Sequence, residues 1–180
     1  MIVEREPPPV GVDALLRMIE AAAAHRVRLP PEGAERLFHG DNEGAPGVRL
    51  DRYGPHLRLE MFEPLTVTDR EPVLDGVAEL LPAGGTLFLV ERFASHDGAV
   101  AVRGPASDGV VDVREARARF RVELCRGRNT GLFLDSRAAR RWVAELAVSG
   151  PVLNLFSYTC AFGVVAALAG AARTVNVDIA

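Results

Sequence analysis

The sequence predicts an α/β protein in which a small α+β unit precedes the opening βαβ unit of a parallel sheet. Three observations carry this. Two short segments alternating apolar and charged residues flank Gly54-Pro55, the period-2 pattern of half-buried antiparallel strands. Apolar residues then recur at helical spacing before a further pair of strand-like segments. Beyond Gly150, the apolar runs Val152-Leu-Asn-Leu-Phe156 and Thr174 to Ile179 bracket a helix of small residues, Phe162 to Leu168, as strands of a parallel sheet bracket a crossover helix.

Taken in order, Leu15, Leu16, Ile19, Ala22 and Ala23 give a helix with Asp13 as N-cap, stopped by Leu29-Pro30-Pro31. The stretch from Phe38 to Gly47 is rich in glycine, acid and proline, a composition for tight turns, and reads as a shaped loop. Val48 to Tyr53 and Leu57 to Phe62 form a hairpin. Asp69 caps a helix through Val73, Val77, Leu80 and Leu81, stopped by Pro82 and Gly84-Gly85. Strands at Thr86 to Glu91 and Ala99 to Val102 complete a strand-strand-helix-strand-strand unit ending near Pro105. Val110 to Val113 and Phe120 to Leu124 alternate again, the latter packing Phe120, Val122 and Leu124 and exposing Arg119, Arg121 and Glu123. Asp135 or Ser136 caps a helix whose inner stripe is Trp142, Val143 and Leu146, with Trp142 in the core and Arg137, Arg140 and Arg141 on the other face. The chain thus divides into an N-terminal helical segment (1–34), a central α+β domain (35–108) and the start of a parallel-sheet domain (109–180).

Composition removes several function classes. With 180 residues, 48% of them hydrophobic, the chain has material for real cores. Its net charge of −3 gives no whole-chain field for nucleic acid, so any such contact must come from a local patch. All 21 basic residues are arginine, which excludes Schiff-base lysines and the lysine of a P-loop. Two cysteines, Cys125 and Cys160, without paired spacing indicate neither a disulfide framework nor a zinc site. The charged, proline-rich start is no signal peptide, and no apolar run is long enough for a bilayer; a cytoplasmic location fits.

The chemistry concentrates after residue 150. In open α/β sheets ligands bind at the carboxyl ends of strands, where a loop turns into a helix N-terminus. Here that loop is Phe156-Ser157-Tyr158-Thr159-Cys160, and the second strand ends in Asp178, an acid placed to accept hydrogen bonds from ribose hydroxyls. The acid would repel a 2′-phosphate, disfavouring NADP. The loop lacks GxGxxG, and its aromatics would crowd a pyrophosphate. S-adenosylmethionine (SAM), with a sulfonium cation and no phosphate, suits aromatic and carboxylate neighbours better than NAD does.

Three blocks carry a resemblance: Gly127-Arg-Asn-Thr-Gly-Leu-Phe-Leu-Asp-Ser-Arg137, Val152-Leu-Asn-Leu-Phe-Ser-Tyr-Thr159 and Val175-Asn-Val-Asp178. They resemble the class I SAM-dependent rRNA methyltransferases of the bacterial 23S rRNA 5-methylcytosine type, and the domain that makes 7-methylguanine in the same rRNA. Upstream, Arg36 to Gly54 is similar to the central α+β domain of that family. The resemblance implies a Rossmann-like methyltransferase domain, here truncated after its second strand and before the catalytic motifs. It implies SAM as cofactor and ribosomal RNA as partner, with cytosine C5 the first choice of acceptor, and it is compatible with a homodimer. Residue by residue it assigns cofactor contacts to Phe133, Asp135 and Arg137, to Asn154, Phe156, Ser157, Tyr158 and Thr159, and to Asp178. It assigns no catalytic residue and no metal. Cys160 stands where the family usually has glycine.

Plainer readings stand beside these. Cys160 is a small residue in a tight turn rather than a nucleophile. His39, Asp41 and Glu43 form a turn rather than a metal site. Asp135 can serve as a helix cap alone, and the arginine helix face can be a solvated surface or a phosphate contact. Two rival functions also remain: a nicotinamide-dependent oxidoreductase, and an RNA-binding or assembly module without catalysis.

Overall fold

The computed structural model describes residues 10–26, 29–64, 67–94, 98–146 and 149–179. Nine strands and five helices follow one another along these residues: α1 (Val12–His25), β1 (Ala34–His39), α2 (Gly40–Glu43), β2 (Val48–Tyr53), β3 (His56–Met61), α3 (Val67–Ala78), β4 (Leu87–Glu91), β5 (Val100–Arg103), β6 (Val110–Glu115), β7 (Ala118–Glu123), α4 (Arg137–Glu145), β8 (Pro151–Leu155), α5 (Ala161–Ala169) and β9 (Arg173–Val177).

Strands β1 to β5 form one sheet in sequence order. The β2–β3 hairpin pairs Val48 with Met61 through Tyr53 with His56. Only β3 and β4 are parallel, because the α3 crossover lies between them. One face of this sheet presents Leu50, Leu57, Leu59, Leu87 and Leu89 to Leu15 and Ile19 of α1 and to Val73, Leu74 and Val77 of α3. Burying such side chains contributes about 1.5–3 kcal/mol each. The opposite face is shared. Tyr53, Phe88 and Val90 pack against Val113, Val122 and Leu124 of the β6–β7 hairpin and against Leu132 and Leu134.

Several elements depart from the sequence pattern. The sheet has a strand more than the pattern predicts, β1, whose burial is nearly continuous rather than alternating, because a bulge lies between Arg36 and Phe38. The shaped loop contains the single turn α2, closed by Gly44 at φ +84°, a conformation open to glycine without strain. Helix α1 starts from Gly11, with Asp13 inside its first turn. Helix α3 starts at Val67, so Asp69 also lies in the first turn rather than at the cap.

Two corrections concern α4. Trp142, expected in the core, is 61% exposed, whereas Arg140, expected on the solvated face, is 1% exposed. The reason is electrostatic: Glu115 at the end of β6 receives Arg140 Nε at 2.7 Å and Nη2 at 2.6 Å, which turns that face of the helix inward. Ser136 is the N-cap residue of α4 but makes no side-chain capping bond.

The predicted βαβ unit is present. Strands β8 and β9 pair in parallel from Pro151–Arg173 to Leu155–Val177, joined by α5. Gly163 of α5 sits where a Cβ would fall 2.1 Å from Asn176 Oδ1, so a larger residue would have to displace the Asn176 amide, which accepts from Asn154. Leu153, Leu155, Val175 and Val177 are exposed. No helix among the described residues is long and apolar enough to cross a membrane.

Candidate functional site

The turn after β8 is the most strained segment described. Phe156, Tyr158 and Cys160 have φ of +55°, +47° and +64°, the left-handed region that costs a non-glycine residue about 1–2 kcal/mol. Such strain persists only where surrounding contacts over-determine it, and it clusters at ligand sites. Those contacts are visible. The Ser157 amide donates to Val177 O at 3.1 Å and the Cys160 amide to Ser157 O at 2.7 Å. The Tyr158 amide donates to Asp178 Oδ2 at 2.6 Å.

The turn consequently meets the carboxylate after β9 directly. Asp178 Oδ1 also accepts from the amide of Ile179 at 2.8 Å. Ser157 is buried, whereas Phe156 is 86% exposed. Exposed aromatic surface beside a carboxylate and a helix N-terminus is a setting for a cationic, sugar-bearing ligand.

Residues 130–135 form a strap across this turn. Thr159 Oγ1 donates to Gly131 O at 2.5 Å, and the rings of Phe133 and Tyr158 lie 5.2 Å apart, tilted by 40°. The strap is anchored beneath by the Glu123 amide on Thr130 O at 3.0 Å and by Thr130 Oγ1 on the buried Tyr53 hydroxyl at 3.1 Å. Burial, with the charge of Asp51, pushes the Tyr53 phenol well above its ordinary range, so it stays protonated.

Of the nine residues singled out, the fold brings together Phe133, Phe156, Ser157, Tyr158, Thr159 and Asp178. Asp135 lies at the far end of the strap, exposed, and receives the Ser136 hydroxyl at 3.4 Å. Arg137 points elsewhere: it donates to Ala34 O and to Glu115 Oε2, tying α4 to the sheet. Asn154 bonds Asn176 Oδ1 at 2.9 Å across the two parallel strands, at the place where Gly163 passes. His39 and Asp41 approach only to 3.9 Å, and no group of three metal-ligating side chains occurs among the described residues.

Sequence reasoning missed a neighbouring cleft of about 150 Å³. It is lined by arginines of β1 to β3, by Arg92 and Arg128, and by Phe133 and Asp135 of the strap. The signal was present as arginines alternating with apolar residues along both hairpin strands, but alternation alone reads as a solvated face.

Residues 67–180 match the family model of the S-adenosylmethionine-dependent methyltransferases. The chain belongs to this family. Among similar proteins, the ribosomal RNA large subunit methyltransferase of Deinococcus radiodurans is 34% identical over 152 residues, covering 80% of this chain and 37% of that protein. Ribosomal RNA large subunit methyltransferase I of Shewanella denitrificans is 30% identical, covering 94% of this chain and 45% of that one. A structure described as a SAM-dependent methyltransferase from Streptococcus mutans superposes with a TM-score of 0.81 at 26% identity, over 99% of this chain and 48% of that one. A further methyltransferase structure, complexed with S-adenosylhomocysteine (SAH), gives 0.79 at 27% identity, over 97% of this chain and 46% of that one. This family member thus spans less than half the length of the relatives it matches.

Proposed function

We propose that the protein acts in SAM-dependent methylation of large-subunit ribosomal RNA, with cytosine C5 as acceptor, and that the strained turn, the strap and Asp178 hold the cofactor. The single observation that carries this reading is the junction of the Tyr158 amide with the Asp178 carboxylate at 2.6 Å, under a strap whose Phe133 faces Tyr158. The group supplies an electrophilic methyl on a sulfonium centre. What this chain adds is binding and orientation: a carboxylate for the sugar hydroxyls, aromatic faces for the cation and adenine, and backbone amides at the start of α5. Positioning of this kind supplies much of the acceleration in a displacement between two bound partners. The names of the relatives support ribosomal RNA as substrate class.

Titration calorimetry of the full-length protein with SAH and with NADH separates the readings. SAH binding without NADH binding is expected, and the reverse result would establish the oxidoreductase alternative. Labelled methyl transfer to large-subunit rRNA, followed by nucleoside analysis, distinguishes 5-methylcytosine from 7-methylguanine. RNA binding with no affinity for SAH would leave the RNA-binding module as the function.

A further inference from the structure

The face of the five-stranded sheet not covered by α1 and α3 carries a charge that the fold does not neutralise. Register places Arg49 of β2 opposite Glu60 of β3, yet Glu60 is taken by Arg58 and by Arg92, the latter at 2.8 Å. Asp51 is likewise engaged by Arg36 at 2.8 Å. Arg49 is left with no carboxylate partner among the described residues. Its guanidinium instead lies 4.6 Å from the centre of the exposed Phe62 ring, a cation–π contact that positions the group and leaves its charge uncancelled.

This arginine sits in the 150 Å³ cleft, whose other wall is the strap. Arg58 and Arg92 both donate to Arg128 O, at 3.1 and 2.6 Å, so the segment leading into the strap is fixed to the sheet by the same network. Phe133 then separates cleft from turn: it lines the first and touches Tyr158 of the second. The volume is below the roughly 300 Å³ at which pockets for whole small ligands begin, which fits a group at the surface of a larger polymer. Of the carboxylates that line it, Asp51 is engaged by Arg36 and Glu60 by Arg58 and Arg92, so neither is left to pair with Arg49.

We propose that this cleft receives a backbone phosphate of the RNA substrate, with Arg49 as its principal contact, beside the nucleotide presented to the cofactor turn. The identity of the polymer rests on the methyltransferase reading above; the anion site rests on Arg49 alone. A planar guanidinium with unused donors, pre-oriented on an aromatic ring, matches a phosphate better than a neutral group. A phosphorylated peptide offers the same anion, and the test separates the two.

The experiment measures binding of a mixed-sequence single-stranded RNA to the full-length protein between 0.05 and 0.5 M salt, roughly the span in which counterion release is read. Arg49→Gln should lower the slope of log K against log salt by about 0.7, which corresponds to about fivefold weaker binding at 0.1 M salt. Arg49→Lys should restore most of the slope. Arg17→Gln, on the exposed side of α1 across the sheet, should change neither. SAH affinity, read on the same samples, should stay unchanged in all three variants. Ultraviolet cross-linking of thiouridine RNA to the wild-type protein, expected on peptides containing Arg49, Phe62 or Arg128, needs no variant to fold. The proposal is overturned if Arg49→Gln matches Arg17→Gln in slope, if cross-links fall only elsewhere, or if a phosphopeptide binds through Arg49 and RNA does not. Failure of the cofactor reading looks different: no SAH binding, whatever Arg49 does.

Discussion

Cys160 is held at φ +64° at the start of α5, where its thiol lies 3.8 Å from the Ser157 hydroxyl. That contact is too weak to offset a left-handed backbone. Cys160→Gly should therefore stabilise the protein by up to about 1 kcal/mol, the relieved strain less the extra freedom of an unfolded glycine; a lower urea midpoint would refute this. Asp178 has two duties that different replacements separate. Asp178→Ala removes the acceptor for the Tyr158 amide and should cost about 1 kcal/mol of stability, and it should weaken SAH binding by about 1–3 kcal/mol through lost charge-assisted bonds. Asp178→Asn keeps an oxygen for Tyr158, so stability should hold while SAH affinity falls. Equal SAH affinity in all three proteins would remove the ribose assignment. At this scale the sequence was informative about the turn and the acid, because both sit at the ends of strands that apolar runs reveal. It was uninformative about Arg137 and Asn154, whose partners, Glu115 and Asn176, are 22 residues away in opposite directions along the chain.

Among the elements, the β6–β7 hairpin and α4 are joined by one carboxylate. Burial alone would raise Glu115, but hydrogen bonds and charge from Arg140, then Arg137, hold it below the usual glutamate value. Glu115→Ala would leave the Arg140 guanidinium buried without its counter-charge, a loss of about 3–5 kcal/mol, measurable by urea denaturation at neutral pH. The depressed value fixes the sign of the pH dependence. The unfolded chain binds a proton on Glu115 at higher pH than the folded one, so its stabilisation is complete above about pH 5 and declines as pH falls through the folded value. Wild type and Glu115→Ala should accordingly converge in acid. His56 contributes from a different window. Its Nδ1 accepts from the Thr86 amide at 3.2 Å, and burial lowers its pKa despite the opposing charge of Asp108. A lowered histidine value means that stability is full above the unfolded value of about 6.5 and falls as pH drops below it; His56→Gln should flatten the profile between pH 5 and 7. Apart from β1 and α2, the element order was legible from periodicity, but the burial of the charged positions of β2 and β3 was not. Alternation places them on one face, and only the packing of the hairpin and strap over that face makes Arg58, Asp51 and Glu60 buried.

For the whole molecule, the two cores share one sheet, and the strap joins that sheet to the turn after β8. Apolar spacing could not reveal this, since residues 126–136 carry no periodic pattern and their role lies in carbonyls, those of Arg128, Thr130 and Gly131, that accept from distant side chains and amides. The arrangement predicts how a ligand is felt at a distance. A ligand present at 100 times its dissociation constant stabilises the form that binds it by about 2.7 kcal/mol, so amides that exchange only when the site opens should slow roughly 100-fold. With SAH bound, hydrogen exchange should slow together in residues 130–135 and 156–160, because the Thr159–Gly131 bond and the Phe133–Tyr158 contact make them one unit. Amides of α1 and α3, packed on the far face of the sheet, should exchange at unchanged rates when they open locally. Slowing confined to 156–160 would mean that the strap is scaffold rather than part of the cofactor site, and Phe133→Ala should then leave SAH affinity untouched. Slowing in both segments, lost from both in Phe133→Ala, would tie the sheet's anchoring of the strap to the affinity of the site.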